Sequence, residues 1–234
     1  FRLFCQPIAP LSADSGLAVG DEFLLRMVDG DGHLISPGEF IPAAERYGLM
    51  NAIDRWVICS AFRQCASLFE ARADAEVSIN LSAASLSDDT LADFLGEQYT
   101  ECGLPPDRFC YDVTETAAFC NPDKSRELLG KIKAYGSRLA LDDFGGGLSS
   151  FASLKSLPVD YLKIDGAFVR DMMSSPVDYA VVKSINEVGH AMGARTIAEY
   201  AQSETVLDGL RDLGVDCAQG DAIGLPVPVS KILH

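Results

Sequence analysis

Short apolar segments alternate with longer amphipathic segments along the chain, a pattern typical of alternating β-strands and α-helices. The pattern predicts strands at Phe1–Pro7, Leu17–Met27, Glu76–Leu81, Arg108–Val113, Arg138–Asp143, Tyr161–Asp165, Arg195–Glu199 and Val215–Gln219. It predicts helices over residues 37–48, 51–69, 87–102, 122–135, 176–192 and 204–213. We therefore predict an α/β fold, built as a single (β/α) TIM-like barrel.

The beginning of the chain differs from the rest, because its first two strands have no helix between them. A polar loop with Asp14, Ser15 and Gly16 joins them, so we expect a hairpin-like antiparallel first strand. Pro37 is predicted to start a short helix, and Asn51 to cap the longer one that follows. Asp29-Gly30-Asp31-Gly32 is interpreted as a surface turn, since its glycine is misplaced for a calcium loop.

Composition narrows the class of protein. The chain has 234 residues, 48% of them hydrophobic, without a linker or a change of composition, so residues 1–234 are predicted to form one domain. The net charge of −15 argues against a surface that grips long nucleic acid. Seven scattered cysteines without a C-x-x-C pair favour reduced thiols in a cytoplasmic domain. No apolar run is long enough to cross a membrane.

Polar residues lie where the predicted strands end. In a barrel the carboxyl ends of the strands meet at one face, so these side chains are expected to converge there. They are Glu22, Asn80, Asp112, Asp142, Asp143, Lys163, Glu199 and Gln219.

The adjacent acids Asp142 and Asp143 are the most informative of these residues. Asp and Gly are also common turn residues, so a plain turn at the end of the strand stays open as an alternative for the pair taken alone. Oxygen ligands without His or Cys favour Mg²⁺ or Mn²⁺ over Zn²⁺, and two cations would keep several converging carboxylates ionised. Two such ions can support in-line displacement at a phosphodiester by activated water, which Lys163 could orient.

Several ordered motifs carry a resemblance to a known family. They are Gln6-Pro7-Ile8, Glu22-Phe23-Leu24-Leu25-Arg26, Phe40-Ile41-Pro42, Asn80-Leu81-Ser82, Asp142-Asp143-Phe144-Gly145, Lys163-Ile164-Asp165, Ala198-Glu199 and Gln219-Gly220. The whole chain resembles the EAL-domain family. That resemblance implies a barrel phosphodiesterase that opens the bacterial second messenger cyclic di-GMP to linear pGpG.

The resemblance also implies roles for individual residues. One Mg²⁺ or Mn²⁺ ion would be held by Glu22, Asn80, Asp112 and Asp142, and a second ion by Asp142, Asp143 and Glu199. Lys163 would contact the attacking water, Gln219 would help position that water or the metal shell, and Glu115 would anchor the loop after Asp143. Calcium would bind without supporting hydrolysis. The expected substrate contacts are Gln6, Leu24, Arg26 and Asp165.

The same resemblance implies context. A flanking sensor or GGDEF-type domain is expected in a longer multidomain signalling protein, which can itself be membrane-anchored. This segment would be cytoplasmic, would make no membrane contact and would be able to form a homodimer. The missing initiator methionine agrees with a segment cut from a longer protein.

The chain departs from the family pattern near the expected site. Phe23 replaces the signature alanine, and Asp112 is one methylene shorter than the usual glutamate. The other departures are Gly146, Leu148, Gln202 and Asp221. They favour slow turnover, with the loop Gly145–Ser150 as its predicted cause. The alternative is a receptor module that binds cyclic di-GMP but scarcely cleaves it.

Overall fold

A β-barrel surrounded by helices positions every residue discussed below. The computed structural model describes residues 1–12, 20–146, 154–155 and 157–232. Its strands are β1 (Arg2–Pro10), β2 (Gly20–Val28), β3 (Leu34–Ile35), β4 (Glu76–Leu81), β5 (Phe109–Thr114), β6 (Arg138–Phe144), β7 (Tyr161–Ile164), β8 (Arg195–Ala198), β9 (Cys217–Gln219) and β10 (Val227–Pro228). Its helices are α1 (Pro37–Arg46), α2 (Met50–Ala71), α3 (Leu91–Cys102), α4 (Glu115–Cys120), α5 (Pro122–Ala134), α6 (Gly166–Val169), α7 (Pro176–Ala191) and α8 (Glu204–Asp212).

The barrel closes through the first strand. β2, β4, β5, β6, β7, β8 and β9 pair in parallel, and β1 lies antiparallel to both β2 and β9. β3 and β10 extend the sheet outside this ring of eight strands. The predicted TIM-like barrel and its antiparallel first strand are therefore confirmed. The predicted polar loop at Asp14, Ser15 and Gly16 lies outside the described residues.

Burial explains why the central strands appear as short apolar runs. Parallel barrel strands pack against helices outside and against other strands inside, so both of their faces avoid water. Val77, Ile79, Tyr111 and Leu139 have no exposed surface. Their side chains belong to one large core that α2, α3 and α5 cover from outside. The polar residues within these same strands therefore stand out as candidates for function.

Two predicted helix starts need correction. The long helix begins at Met50 with Leu49 as its N-cap, so the prediction that Asn51 caps it was wrong. Asn51 lies half-buried within the first turn, because the short connection after α1 brings the chain into helical geometry earlier. The helix predicted from residue 87 begins at Leu91, after a short 3₁₀ turn at Ser85–Ser87. Pro37 does start α1, as predicted.

Three further sequence features are the turn at Asp29, the cysteines and the helices. Asp29 Oδ1 accepts hydrogen bonds from the backbone of Asp31 at 2.9 Å and of His33 at 2.8 Å, which confirms the exposed turn. All seven cysteines are free thiols. Within the described part of the chain, the helices are too short or too polar to cross a bilayer.

Candidate active site

Lys163 lies at the centre of the polar end of the barrel and has no exposed surface. Its Nζ atom contacts four carboxylates from four different strands or strand ends. The distances are 3.1 Å to Glu22 Oε2, 3.2 Å to Asp112 Oδ2, 3.2 Å to Asp142 Oδ1 and 2.8 Å to Glu199 Oε1. We call these five residues the Lys163 cluster.

Strand register brings the members of the Lys163 cluster together. Asp112 lies opposite Asn80 across the β4–β5 ladder, and Asp142 lies opposite Thr114 across the β5–β6 ladder. Glu199 follows β8 directly, and its backbone N–H donates to the carbonyl of Ile164 at 3.2 Å. Adjacent parallel strands thus deliver acids to one face of the barrel, as the polar strand exits predicted.

Glu22 reaches the cluster from a different position than the sequence indicated. It is the third residue of β2, not its last, because β2 continues past Glu22 along β1 as far as Arg26 and then pairs with β3 outside the barrel. Asn80 Nδ2 donates to Glu22 Oε1 at 2.6 Å, and Gln219 Nε2 donates to Glu22 Oε2 at 2.9 Å. These amides fix the orientation of the Glu22 carboxylate towards Lys163.

Burial and neighbouring charges shift the pKa values of the Lys163 cluster in opposite directions. Burial raises the pKa of Asp112 to about 7 and that of Glu199 to about 8, although Lys163 opposes both shifts. Burial also disfavours the charged form of Glu22, but Lys163, Asn80 and Gln219 outweigh it and lower the pKa of Glu22. Burial would lower the pKa of Lys163, yet the surrounding carboxylates raise it well above its ordinary value. One ammonium therefore does not neutralise this many acids.

Asp142 and Asp143 turn their carboxylates to the same region, which neighbouring residues of a regular strand do not do. The register of β6 against β7 shifts between Leu141 and Phe144, and Asp143 has a positive φ of 54°. Burial and the adjacent Asp142 raise the pKa of Asp143 to about 6. Carboxylate oxygens of Asp142, Asp143 and Glu199 all lie within 4.8 Å of one another. This trio has the same members as the predicted second metal site.

The donor set fits hard divalent cations. It consists of carboxylate oxygens and the side-chain amide of Asn80, which suit Mg²⁺ or Mn²⁺. Asp112 is 1% exposed, and neither of its oxygens accepts a hydrogen bond of normal geometry from a described residue, although Lys163 lies close to one of them. A buried carboxylate without directed donors is the expected partner of a cation.

Raised carboxyl pKa values predict how stability depends on pH. Asp112 and Glu199 hold protons in the folded state at pH values where the unfolded chain has released them. Their contribution is therefore fully present below about pH 4 and is lost as the pH rises through about 7 to 8. In chelator, the free energy of unfolding should fall by roughly 1 to 3 kcal/mol between pH 5 and pH 7.

Urea denaturation at several pH values measures this dependence. Saturating Mg²⁺ should flatten it, because a bound cation favours the ionised carboxylates. Asp112→Asn should weaken the dependence in chelator. Stability that rises steadily from pH 5 to pH 8 in chelator would contradict the electrostatic account.

The loop after β6 is tied to Glu115. Glu115 is 3% exposed, and its Oε2 accepts a hydrogen bond of 3.1 Å from the backbone N–H of Gly145, where the predicted anchor requires it. A Cβ atom at Gly146 would collide with Oδ2 of Asp165. Most of the predicted rate-limiting loop, residues 147–150, lies outside the part of the chain that the structure describes.

A cleft of about 430 Å³ opens beside the Lys163 cluster. Three of the four predicted substrate residues line it, namely Gln6, Leu24 and Arg26. Arg26 Nη1 donates to the Leu25 carbonyl at 2.8 Å, and Gln6 Nε2 donates to the Gly224 carbonyl at 3.0 Å. Asp165 is not among the residues that line this cleft. Its side chain accepts a hydrogen bond of 2.8 Å from the backbone N–H of Ala167 at the start of α6.

A second cleft of about 570 Å³ adjoins the first. Leu24, Arg26 and Pro37 line both clefts, and Asn80 lines the second. The rest of the second cleft is largely apolar, with Ile53 among its lining residues. The two clefts are therefore contiguous, and the acids Glu22, Asp143 and Glu199 line the first of them.

Several residues that line the cleft were not assigned a functional role from the sequence, among them Tyr200, Gln202, Asp221 and Pro226. Tyr200 has a positive φ of 55°, and its ring packs so closely on Gly166 that a Cβ there would clash. The guanidinium carbon of Arg170 lies 5.3 Å from the centre of this ring. A bulky aromatic residue in left-handed geometry could not be expected from sequence, since glycine usually fills such positions. Gln202 and Asp221 were visible only as departures from a family pattern.

Fold and site together define a (β/α) barrel whose polar face carries an oxygen-rich acidic centre beside a cleft. This acidic centre consists of the Lys163 cluster and Asp143. The chain matches the family model of the EAL domain over residues 1–226. It therefore belongs to the EAL-domain family.

Two curated relatives of the chain are named as cyclic di-GMP phosphodiesterases. The chain is 40% identical over 229 residues to cyclic di-GMP phosphodiesterase PdeB of Shewanella oneidensis, covering 98% of this chain and 27% of that protein. It is 33% identical over 234 residues to cyclic di-GMP phosphodiesterase PdeF of Escherichia coli, covering 100% of this chain and 31% of that protein. The chain thus spans less than a third of either relative.

Solved structures agree with the fold. The MucR phosphodiesterase in complex with cyclic di-GMP superposes with a TM-score of 0.91 at 34% identity, over 98% of this chain and 93% of that one. The EAL domain of FimX from Pseudomonas aeruginosa, bound to cyclic di-GMP, gives a TM-score of 0.88 at 30% identity, over 97% of this chain and 90% of that one.

Proposed function

We propose that this domain is a metal-dependent phosphodiesterase that hydrolyses cyclic di-GMP to linear pGpG. The observation that carries the proposal is the Lys163 cluster, which combines one buried ammonium with more carboxylate charge than it neutralises, at the edge of a cleft. The names of PdeB and PdeF support the choice of substrate.

Two groups of residues would hold the cations. Glu22, Asn80, Asp112 and Asp142 form the first group, and Asp142, Asp143 and Glu199 form the second. Bound Mg²⁺ or Mn²⁺ would supply Lewis-acid polarisation of a phosphate oxygen and favour ionisation of water at neutral pH. Calcium would bind the same oxygens with looser coordination, so we expect poor turnover with it.

Lys163 acts in this proposal as a hydrogen-bond donor. Its neighbours raise its pKa well above the ordinary value, so it keeps its proton and does not serve as a base. The Nζ–H groups would orient the attacking water and stabilise negative charge that develops on the phosphate. Gln219 supports this role indirectly, because its amide fixes the Glu22 carboxylate.

The two adjoining clefts suit a ligand with two bases around a central phosphodiester ring. Arg26 lines both clefts and would contact a phosphate, while Gln6 and Leu24 would contact one nucleotide. Asp165 stays a predicted ligand contact, beside the role it has at the start of α6, where it accepts a hydrogen bond from Ala167. Divalent cations should strengthen binding, because the clustered carboxylates otherwise repel an anionic ligand.

A second candidate function is a receptor that binds cyclic di-GMP but scarcely cleaves it. Asp112 favours this candidate, because its carboxylate lies on a side chain one methylene shorter than the family glutamate. The FimX neighbour was solved bound to cyclic di-GMP. Loss of reach at one ligand would slow hydrolysis without abolishing binding.

Incubation of the purified domain with cyclic di-GMP distinguishes the two functions. Chromatography should detect pGpG with Mg²⁺ or Mn²⁺, little with Ca²⁺ and none in chelator. Binding by the wild-type protein without product, together with product formation by Asp112→Glu, would support the receptor. Absence of both binding and product would exclude both functions.

The setting of the domain in its parent protein is also a proposal. We infer a cytoplasmic domain that works beside a flanking sensor or GGDEF-type domain and is able to form a homodimer. The name of a relative from Pseudomonas aeruginosa, bifunctional diguanylate cyclase/cyclic di-GMP phosphodiesterase MucR, supports a multidomain parent; that relative is 34% identical over 222 residues.

A further inference from the structure

Asp221 places an isolated carboxylate in the first cleft, which has a volume of about 430 Å³. It lies two residues after Gln219, whose amide contacts the Lys163 cluster, so its Cα is at most about 7 Å from that of Gln219. Asp221 is exposed, and no hydrogen bond or ion pair to another described residue engages its side chain. The other acids of the cleft, Glu22, Asp143 and Glu199, all belong to the acidic centre.

The backbone around Asp221 is held in place. Gly220 has a φ of 153°, and a Cβ there would collide with the backbone of Ala201. The carbonyl of Ala201 accepts a hydrogen bond of 3.0 Å from Ala222, and the carbonyl of Gln219 accepts one of 3.0 Å from Ala201. The segment therefore presents Asp221 to the cleft from a fixed position next to the strand end of Gln219.

A lone carboxylate is an unfavourable neighbour for an anionic ligand unless the ligand offers donors to it. The Watson–Crick edge of guanine presents two adjacent donors, N1–H and the N2 amino group, which match the two oxygens of a carboxylate. Adenine presents one donor and one acceptor at that edge, so its N1 would face a carboxylate oxygen without a proton between them. The acid therefore favours guanine over adenine.

We propose that Asp221 reads the Watson–Crick edge of one guanine of the bound cyclic dinucleotide and thereby selects against adenine. This inference rests on the proposed function and identifies a residue that determines base specificity. Tyr200 and Pro226 line the same cleft and provide surfaces on which the face of the base can pack.

Asp221→Asn is the sharpest test, because it changes hydrogen-bonding pattern at constant size. Asparagine offers one acceptor and one donor, which match N6–H and N1 of adenine but cannot accept from both N1–H and the N2 amino group of guanine. We expect the affinity ratio of cyclic di-GMP to cyclic di-AMP to fall about 10- to 100-fold, the range set by one bidentate contact. Asp221→Ala should weaken cyclic di-GMP binding and should improve cyclic di-AMP binding less than Asp221→Asn does, because alanine relieves the repulsion of adenine N1 without donating a hydrogen bond to it.

Calorimetry with Ca²⁺ measures both dinucleotides, and initial rates with Mn²⁺ check the same ratio in turnover. Asp123→Asn is the matched control, since that acid is exposed in the first turn of α5 and should leave the ratio unchanged. A guanine preference that survives Asp221→Asn overturns this inference alone. Wild-type protein that binds neither dinucleotide overturns the proposed function and this inference with it.

Discussion

Replacing Lys163 with methionine is expected to produce the largest loss of stability of any single change in the site. The substitution keeps an unbranched side chain but leaves Glu22, Asp112, Asp142 and Glu199 without their shared ammonium. Removing one partner of a buried ion pair costs about 3 to 5 kcal/mol, because the remaining charges stay desolvated. In chelator at pH 8, urea denaturation should show a loss of this size.

Two conditions should rescue the Lys163→Met variant. Lower pH should restore stability by protonating the carboxylates, and Mg²⁺ should restore part of it by supplying positive charge. A variant as stable as wild type in chelator at pH 8 would show that the carboxylates do not depend on Lys163.

Turnover should fall even when Mg²⁺ restores the fold of this variant. Positioned proton donors and acceptors contribute about 10²- to 10⁴-fold to catalysis, and we expect a loss in that range. Affinity for cyclic di-GMP should change less, since the proposed partner of Lys163 is water and developing charge rather than the bound ligand. Equal losses in turnover and affinity would contradict this role.

Asp142→Asn is expected to cause the largest loss of activity. Asp142 contacts Lys163 and belongs both to the acidic trio and to the proposed first metal site. Loss of a shared ligand should remove several kcal/mol of charge stabilisation from the reaction, or on the order of 10³-fold in rate. The rate of pGpG formation at saturating Mn²⁺ measures this loss, and Glu22→Ala should behave similarly.

Asp216→Asn provides a matched control for that substitution. Asp216 precedes β9 at the opposite end of the barrel, where its carboxylate accepts a hydrogen bond of 2.8 Å from the backbone of Thr196. Asparagine can keep that hydrogen bond, so activity should remain close to wild type. Full activity of Asp142→Asn, or activity of wild type in chelator, would exclude the acidic centre as the metal site.

The barrel could be predicted from the sequence because its signals are local. Buried parallel strands give short apolar runs, and Pro37 marks a helix start by its fixed φ. The convergence of Asp112, Asp142 and Lys163 followed from topology, since parallel strands end on one face.

Other parts of the site depend on geometry that residue type does not encode. Glu22 lies near the start of β2, because that strand extends beyond the barrel. The N-cap that Asp165 forms on α6 was not predicted, since the same short polar side chain also suits a substrate contact. The place of Tyr200 in the cleft depends on a positive φ that its side chain disfavours.

Anomalous diffraction from crystals grown with Mn²⁺ and cyclic di-GMP tests the central claim most directly. The account predicts two manganese peaks, one among Glu22, Asn80, Asp112 and Asp142 and the other among Asp142, Asp143 and Glu199, with ligand density in the cleft beside them. Both peaks should disappear in Asp142→Asn. Manganese absent from the acidic centre, or present only at the exposed turn of Asp29, Asp31 and His33, would contradict the account.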